Sequence, residues 1–384
     1  MVHFLQKEVT KQLLIWRCAA VEARSIYRQL HQIPELSGQE VLTAQQIESA
    51  LRAMGYTPHR IGDTGVYADR IADPSLPRLL FRADTDALPV QEDSCAPCSS
   101  THPGVMHACG HDAHCAMLLE AAAHLRTMTL PHNIRFLFQP AEETTKGASQ
   151  LIAAGAIPPN TCACFAMHVW PGIPKGVVAT RPGALMASSD VYRIEIQGKS
   201  AHCAQRSKGS DALQTAVQIA ARLPSIEQLA QGDGTILFCG SIHSGSAHNV
   251  VPDSAELFGT LRTYREESRL AIKSALEQTT QALCAQFGTT ARVLWDGGCP
   301  AIRNSSALIE QLRRIEPTLQ TDTAPTMAAE DFACYQEHAP GLMPWLGIGD
   351  VPPLHNPAFY VPEEILPRGV SLWLDIAQHD WKGA

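Results

Sequence analysis

Short apolar runs that each break off at acidic or histidine side chains recur along this chain, and no other feature limits its fold as strongly. Leu79-Leu-Phe81 runs into Arg82-Ala-Asp84-Thr-Asp86, Ile134 to Phe138 into Pro140-Ala-Glu142-Glu143, and Cys162 to Met167 into His168. Runs of this length without alternation mark strands buried on both faces. They alternate with helical periodicity, as over 113–126, which predicts βα units and a mostly parallel sheet. Sites in such sheets form beyond the carboxyl ends of the strands, where these polar clusters stand. Upstream, apolar spacing predicts a helix over 9–30 that His31-Gln-Ile-Pro34 stops, and a second over 41–54.

The pattern changes after Thr180-Arg-Pro-Gly183. Val191 to Gln197 alternates, with Tyr192, Ile194 and Ile196 on one face and Arg193, Glu195 and Gln197 on the other, as a strand with one wet face does. A helix over 211–223 capped by Asp211, strands near 235–242 and 254–263, a helix over 266–287 and a strand over 290–295 complete the order β-α-β-β-α-β. That is the split unit of a ferredoxin-like domain. After Asp296-Gly-Gly298 the βα style returns, with a buried strand over 342–348. The expected architecture is an α/β domain made of 1–183 and 297–384, with a ferredoxin-like domain inserted at 184–296.

A chain of 384 residues suits two or three domains. Its 30 Lys+Arg against 38 Asp+Glu, a formal charge of -8, speak against a nucleic-acid partner, whose phosphates need clustered positive charge. Apolar stretches fall short of the roughly 18 residues a membrane span needs. Lys7, Glu8, Lys11, Arg17 and Glu22 leave no signal-peptide core, so no membrane partner and a cytoplasmic location are expected. Twelve Cys and sixteen His stand out, and the Cys are spread as reduced thiols serving the core would be.

The densest chemistry is Met106-His107-Ala-Cys109-Gly110-His111-Asp112-Ala-His114, at the start of a helix whose dipole favours a thiolate. Taken alone it reads equally well as helix polarity around a structural Cys. Glu142-Glu143 alone would be a solvated loop, though two adjacent carboxylates can also divide the work of metal ligand and general base. His168 and His355 are each, singly, unremarkable structural histidines. Together Cys109, His111, Glu143, His168 and His355 mix thiolate, imidazole and carboxylate, a set suited to zinc or a similar transition metal and too soft for magnesium or calcium.

Nearly the whole chain resembles the dinuclear metallohydrolases that include hippurate hydrolase, bacterial N-acyl-amino-acid amidohydrolases and plant indole-acetyl-amino-acid hydrolases. The resemblance is carried by His31-Gln-Ile-Pro-Glu-Leu-Ser37, Arg82-Ala-Asp-Thr-Asp-Ala-Leu-Pro89, the 106–114 cluster, Gln139-Pro-Ala-Glu-Glu143, His168-Val, Asn249-Val-Val-Pro-Asp253, Gly259-Thr-Leu-Arg262-Thr, Glu330-Asp-Phe332 and Leu354-His355. It implies a catalytic domain holding two divalent metal ions (Zn, Mn, Ni or Co) and a lid that also forms a homodimer contact. By resemblance the five donors are the ligands, with Cys109 bridging, and Glu142 is the general base. Asp84 and Asp86 would orient ligands. His202 would stabilise the oxyanion, in cis or across the dimer, and Asn249 and Arg262 would hold the substrate carboxylate. The family pattern is departed from at Thr144-Thr-Lys146, Gln205-Arg206 and Ala328-Ala329.

The expected reaction is metal-assisted amide hydrolysis of an N-acyl or N-aroyl amino acid. A dipeptidase or carboxypeptidase on the same scaffold is the near alternative. A non-catalytic metal- or thiol-handling protein is the distant one, suggested by the Cys count and by Cys95-Ala-Pro-Cys98, whose spacing also suits incidental loop cysteines. His107 and His114 suit either a supporting role behind the ligands or plain helix and loop roles.

Overall fold

The structure, a computed structural model, describes residues 22–381 apart from 231 and 233. Of the helix expected over 9–30, the part before residue 22 lies outside the described residues, with Cys18 and with Lys7, Glu8, Lys11 and Arg17, four of the five charges from which the absence of a signal segment was read. The remainder is α1 (Ala23–His31), which ends at the expected stop. Among the described residues no helix is long and apolar enough to cross a membrane.

The chain divides into two compact units, one of Met1–Leu185, Arg303–Ala324 and Asp331–Ala384, the other of Met186–Ile302 and Pro325–Glu330. The smaller unit runs on past the expected joint at 297, and it takes in 325–330, which the sequence reading left with the larger one.

In the larger unit α1 is followed by α2 (Val41–Ala53), β1 (His59–Ile61), β2 (Gly65–Arg70), β3 (Arg78–Asp84), α3 (His111–Leu125), β4 (Asn133–Gln139), α4 (Gly147–Ala153), β5 (Thr161–Ala166), β6 (His168–Pro171) and β7 (Val178–Ala179). The smaller unit contributes β8 (Ser189–Gln197), β9 (Ala201–His202), α5 (Ala212–Glu227), β10 (Ile236–Ser244), β11 (Val250–Val251), β12 (Ser254–Arg262), α6 (Glu266–Phe287) and β13 (Thr290–Cys299). The chain then returns through α7 (Ser306–Ile315), β14 (Gly341–Leu342), β15 (Trp345–Gly349) and α8 (Leu366–Gln378).

The main sheet has the order β1-β2-β4-β3-β5-β14. Strands β4, β3, β5 and β14 are parallel, but β2 runs antiparallel to both β1 and β4, so the sheet is mixed rather than mostly parallel. The cause is local: only 62–64 separate β1 from β2, and a connection that short permits an antiparallel hairpin alone. The expected strand over 342–348 is two strands in two sheets, β14 beside β5 and β15 beside β6. Pro344 stands between them and has no N–H to give a ladder.

Phe81, Phe136 and Phe165 are fully buried and meet edge to face, and Trp373 of α8 lies 4.8 Å from the Phe81 ring. Each such side chain contributes roughly 1.5–3 kcal/mol by leaving water. α3 is apolar nearly all round because α1, α8 and β3 all touch it. This core anchors the ends of β3 and β4 and the first turn of α3, from which the polar clusters project.

The smaller unit is a four-stranded antiparallel sheet, β10-β12-β8-β13, with Tyr192, Ile194 and Ile196 buried against α5 and α6. Asp211 caps α5, its Oδ1 accepting from the Gln214 N–H at 2.9 Å, and the helix runs through Pro224 to Glu227 rather than stopping at 223. Fully buried Asp190 accepts from Arg269 (2.6 and 2.8 Å) and Lys273 (2.6 Å), tying α6 to β8.

Candidate metal centre

Gly110 caps α3 with φ 84°, and a Cβ there would stand 2.6 Å from Val169 Cγ2, so only glycine allows the turn that sets Cys109 and His111 on either side. After β4 the chain makes a single tight turn, Glu142–Thr144, entered through Ala141 at φ 57° and left through Thr145 at φ 56°. Asp86 Oδ2 accepts from the Glu143 N–H at 3.0 Å and Glu40 Oε1 from the Ala141 N–H at 2.9 Å. His168 opens β6, and His355, itself at φ 64°, donates its N–H to the Ala108 carbonyl at 2.8 Å.

These elements bring the five expected donors together in two triads that share one atom. One donor atom from each of Cys109, His111 and His168 lies within 4.8 Å of the others, and the same holds for Cys109, Glu143 and His355. Cys109 Sγ is 3.5 Å from His168 Nε2, while Glu143 Oε1 is 3.8 Å from His111 Nε2 and 3.5 Å from His355 Nε2. Ligands bonded at about 2.0–2.3 Å around one tetrahedral ion stand about 3.3–3.8 Å apart, so the Cys109–His168 and Glu143–His355 pairs fit. His111 Nδ1 donates to the Asp86 carbonyl at 2.9 Å and His168 Nδ1 to the Val169 carbonyl at 2.6 Å, which leaves both Nε2 lone pairs facing inward. His111 Nε2 and Glu143 Oε1 are buried with no hydrogen-bond partner among the described residues. An unpaired buried nitrogen and carboxylate oxygen are costly unless a cation meets them.

Burial and the Glu143 charge push the Cys109 thiol well above its ordinary range. Only a bound cation makes such a thiol a good ligand, as metal binding expels the proton. Burial would lift Asp84, but His111, His114 and Arg82 outweigh it and hold the carboxyl well below the usual range. Asp84 Oδ1 accepts from His114 Nδ1 at 2.7 Å, and His114 Nε2 accepts the Val169 N–H at 3.0 Å, bracing the segment that carries His168.

Several supporting residues escaped the sequence reading. Fully buried Arg82 donates to Asp84 Oδ2 (2.6 Å), Gln139 Oε1 (2.9 Å) and Asp331 Oδ1 (2.8 Å). The Asp331 N–H in turn reaches Glu142 Oε1 at 3.4 Å. A buried arginine inside a quoted motif was the available signal. His31 lies between Asp112 (2.6 Å) and Glu92 (3.2 Å), which fastens the 92–100 loop. His107 is buried, pushed down to about 4 by burial, and belongs to neither triad. Cys95 is exposed and Cys98 half-buried, both as free thiols.

The remaining site residues lie in the smaller unit. His202 is exposed in β9, and its Nδ1 accepts the Ala204 N–H at 3.2 Å, which leaves the proton on Nε2. Asn249 lies beside it, its carbonyl accepting from the Cys203 N–H at 2.9 Å. Arg262 is not with them: it ends β12, whose nine residues span about 27 Å at 3.4 Å each, while Asn249 stands before the start. Within one chain the length of β12 thus sets the two residues far apart.

Paired soft and hard donors beside the Glu142 carboxylate are the equipment of a metal-dependent hydrolase. Residues 80–379 match peptidase family M20/M25/M40. N-acetyl-L-cysteine deacetylase of Bacillus subtilis is 38% identical over 346 residues, covering 88% of this chain and 83% of its own length. Thermostable carboxypeptidase 2 of Saccharolobus solfataricus is 33% identical over 360 residues, 90% of this chain and 91% of its own. The solved structure of the Bacillus subtilis YXEP protein, a dinuclear metal-binding peptidase, superposes with a TM-score of 0.80 at 33% identity, covering 92% of this chain and 96% of that one. The chain belongs to peptidase family M20, which sets aside the reading of a non-catalytic metal- or thiol-handling protein.

Proposed function

We propose that the chain hydrolyses the amide bond of N-acyl amino acids, of N-acetyl or N-aroyl type, to a carboxylic acid and a free amino acid. The carrying observation is the pair of donor triads sharing Cys109, with Glu142 alongside, its Oε2 4.0 Å from His111 Nε2. Cys109, His111 and His168 would hold one divalent ion (Zn, Mn, Ni or Co), and Cys109, Glu143 and His355 the other. Such ions, when bound, supply Lewis acidity toward water and the amide carbonyl. Glu142, buried and not needed as a ligand, takes the proton of the attacking water and passes it to the leaving nitrogen, so the C–N bond breaks as the amine forms. His202 donates from Nε2 to the carbonyl oxygen as it gains charge.

Asn249 and Arg262 would bind the substrate carboxylate, and their separation along β12 favours a pair drawn from two copies of the chain. The smaller unit, read as a ferredoxin-like lid inserted in the catalytic domain, would form that homodimer. Edge strand β10, which pairs with β12 alone among the described residues, exposes Phe238 and Ile236 (60% and 39%), an apolar stretch on the sheet's outer strand. A carboxypeptidase or dipeptidase reading has its own support in the carboxypeptidase relative. Hippurate and N-acetyl amino acids assayed beside dipeptides separate the two. In Glu142→Gln, metal should stay near two ions per chain while turnover falls by about 10³-fold or more, and undiminished hydrolysis sinks the mechanism.

A further inference from the structure

Glu40 stands immediately before α2, the place of a capping residue, yet its side chain makes no capping hydrogen bond. It is fully buried, and both oxygens are used elsewhere: Oε1 accepts from the Gly38 N–H (2.9 Å) and the Ala141 N–H (2.9 Å), and Oε2 from the Thr64 hydroxyl (2.9 Å). Burying a carboxylate is costly unless such donors meet it. The donor of interest is Ala141. At φ 57° and ψ 36° it holds the left-handed conformation that a residue with a Cβ adopts only at a cost, and the next two residues are Glu142 and Glu143. Its carbonyl is held as well, by the Thr144 hydroxyl (2.9 Å) and the Gly147 N–H (3.2 Å). Strain of this kind persists only where the surroundings over-determine it.

We propose that Glu40 is a positioning residue for the reaction, gripping the strained Ala141 so that Glu142 and Glu143 project side by side from one turn. The proposal rests on the roles read for those two carboxylates. Without Glu40 the Ala141 N–H is buried and unpaired, and the 140–141 peptide relaxes toward ordinary backbone, turning both carboxylates away.

The test combines three variants with cobalt as the probe metal. Glu40→Ala should lower kcat by about 100-fold with KM within about threefold, and weaken cobalt binding at the Glu143 triad by about 10–100-fold, leaving the other triad unchanged. Glu40→Gln keeps an acceptor for Ala141 and a donor for the Thr64 hydroxyl, and should recover all but about fivefold of kcat. Ala141→Gly placed in the Glu40→Ala chain should recover kcat at least about tenfold, because glycine takes the left-handed conformation without the grip. A merely structural role would lower the melting temperature without that recovery. If Glu40→Ala does not fold, Glu40→Asp, one methylene shorter, carries the same comparison with and without Ala141→Gly. Wild-type kcat and cobalt affinity in a folded Glu40→Ala, or no recovery by Ala141→Gly, overturns the proposal. Full turnover by Glu142→Gln would instead overturn the base assignment, with the cobalt titration still reporting on Glu40.

Discussion

The two units treat their chemical groups in opposite ways. In the larger one, His111, His168, Cys109 and Glu142 are all at most 7% exposed, and their partners are already in place. In the smaller one, His202 is exposed, Asn249 and Arg262 are half-buried, and β12 keeps those two apart. Preorganised burial belongs to groups that hold metal and move protons, where a low dielectric strengthens each contact. Exposure belongs to groups that must meet a substrate arriving from outside. The larger unit should therefore hold its metals unaided, and the smaller one should contribute only once substrate and a second chain are present.

The sharpest way to break this contrast is Cys109→Ala. Loss of the donor common to both triads should empty the whole centre and cut turnover by more than about 10⁴-fold, measured by metal analysis beside activity; retention of two ions would overturn the shared-donor reading. His202→Ala should cost about 10²–10³-fold in kcat with both metals kept. Mixing it with Glu142→Gln should restore activity if His202 acts across the dimer, and should not if it acts in cis. Arg262→Ala should raise KM by about 10–100-fold for N-acyl amino acids and hardly at all for the corresponding acyl amides, which lack the carboxylate.

The smallest effect concerns stability. Burial would lower the His31 pKa, but the hydrogen bonds and charges of Asp112 and Glu92 outweigh it and raise it to about 10. Because that lies above the unfolded value of about 6.5, the stabilisation is complete below pH 6.5 and is lost as pH rises toward 10. Glu92 behaves inversely: burial raises it, yet the hydrogen bonds from His31, Ser100 and Ser94 bring it to about 2, so its contribution is lost only in acid. The excess in Tm of the wild type over His31→Gln should shrink by about 2–4 °C between pH 6.5 and 10. A constant gap across that range refutes the charged-histidine account.

The βα frame was legible because β3, β4 and β5 are buried on both faces and read as unbroken apolar runs. The β1–β2 hairpin was not: His59-Arg-Ile61 and Gly65-Val-Tyr-Ala-Asp-Arg70 are short and half polar, and carry no period. The split at Pro344 was hidden because one missing N–H is compatible with a continuous edge strand. The five donors stood out only as a set and through the family resemblance, since each alone has an ordinary structural reading. Glu40 did not, since the N–H it grips is 101 residues away and an acidic residue before a helix already has an ordinary explanation. Asn249 and Arg262 were legible as residues, but their distance apart was not, although the length of β12 contained it.

His355 differs from the other four donors in being 53% exposed at its side chain, on a backbone twisted to φ 64°. Water reaches one triad through it, while the triad with His168 is sealed. Ions should thus exchange at two speeds: a chelator strips the His355 position first, and the protein passes through a half-loaded form. The metal serving there should then follow the supply at the moment of use, and the buried position should keep the ion present when the chain folded.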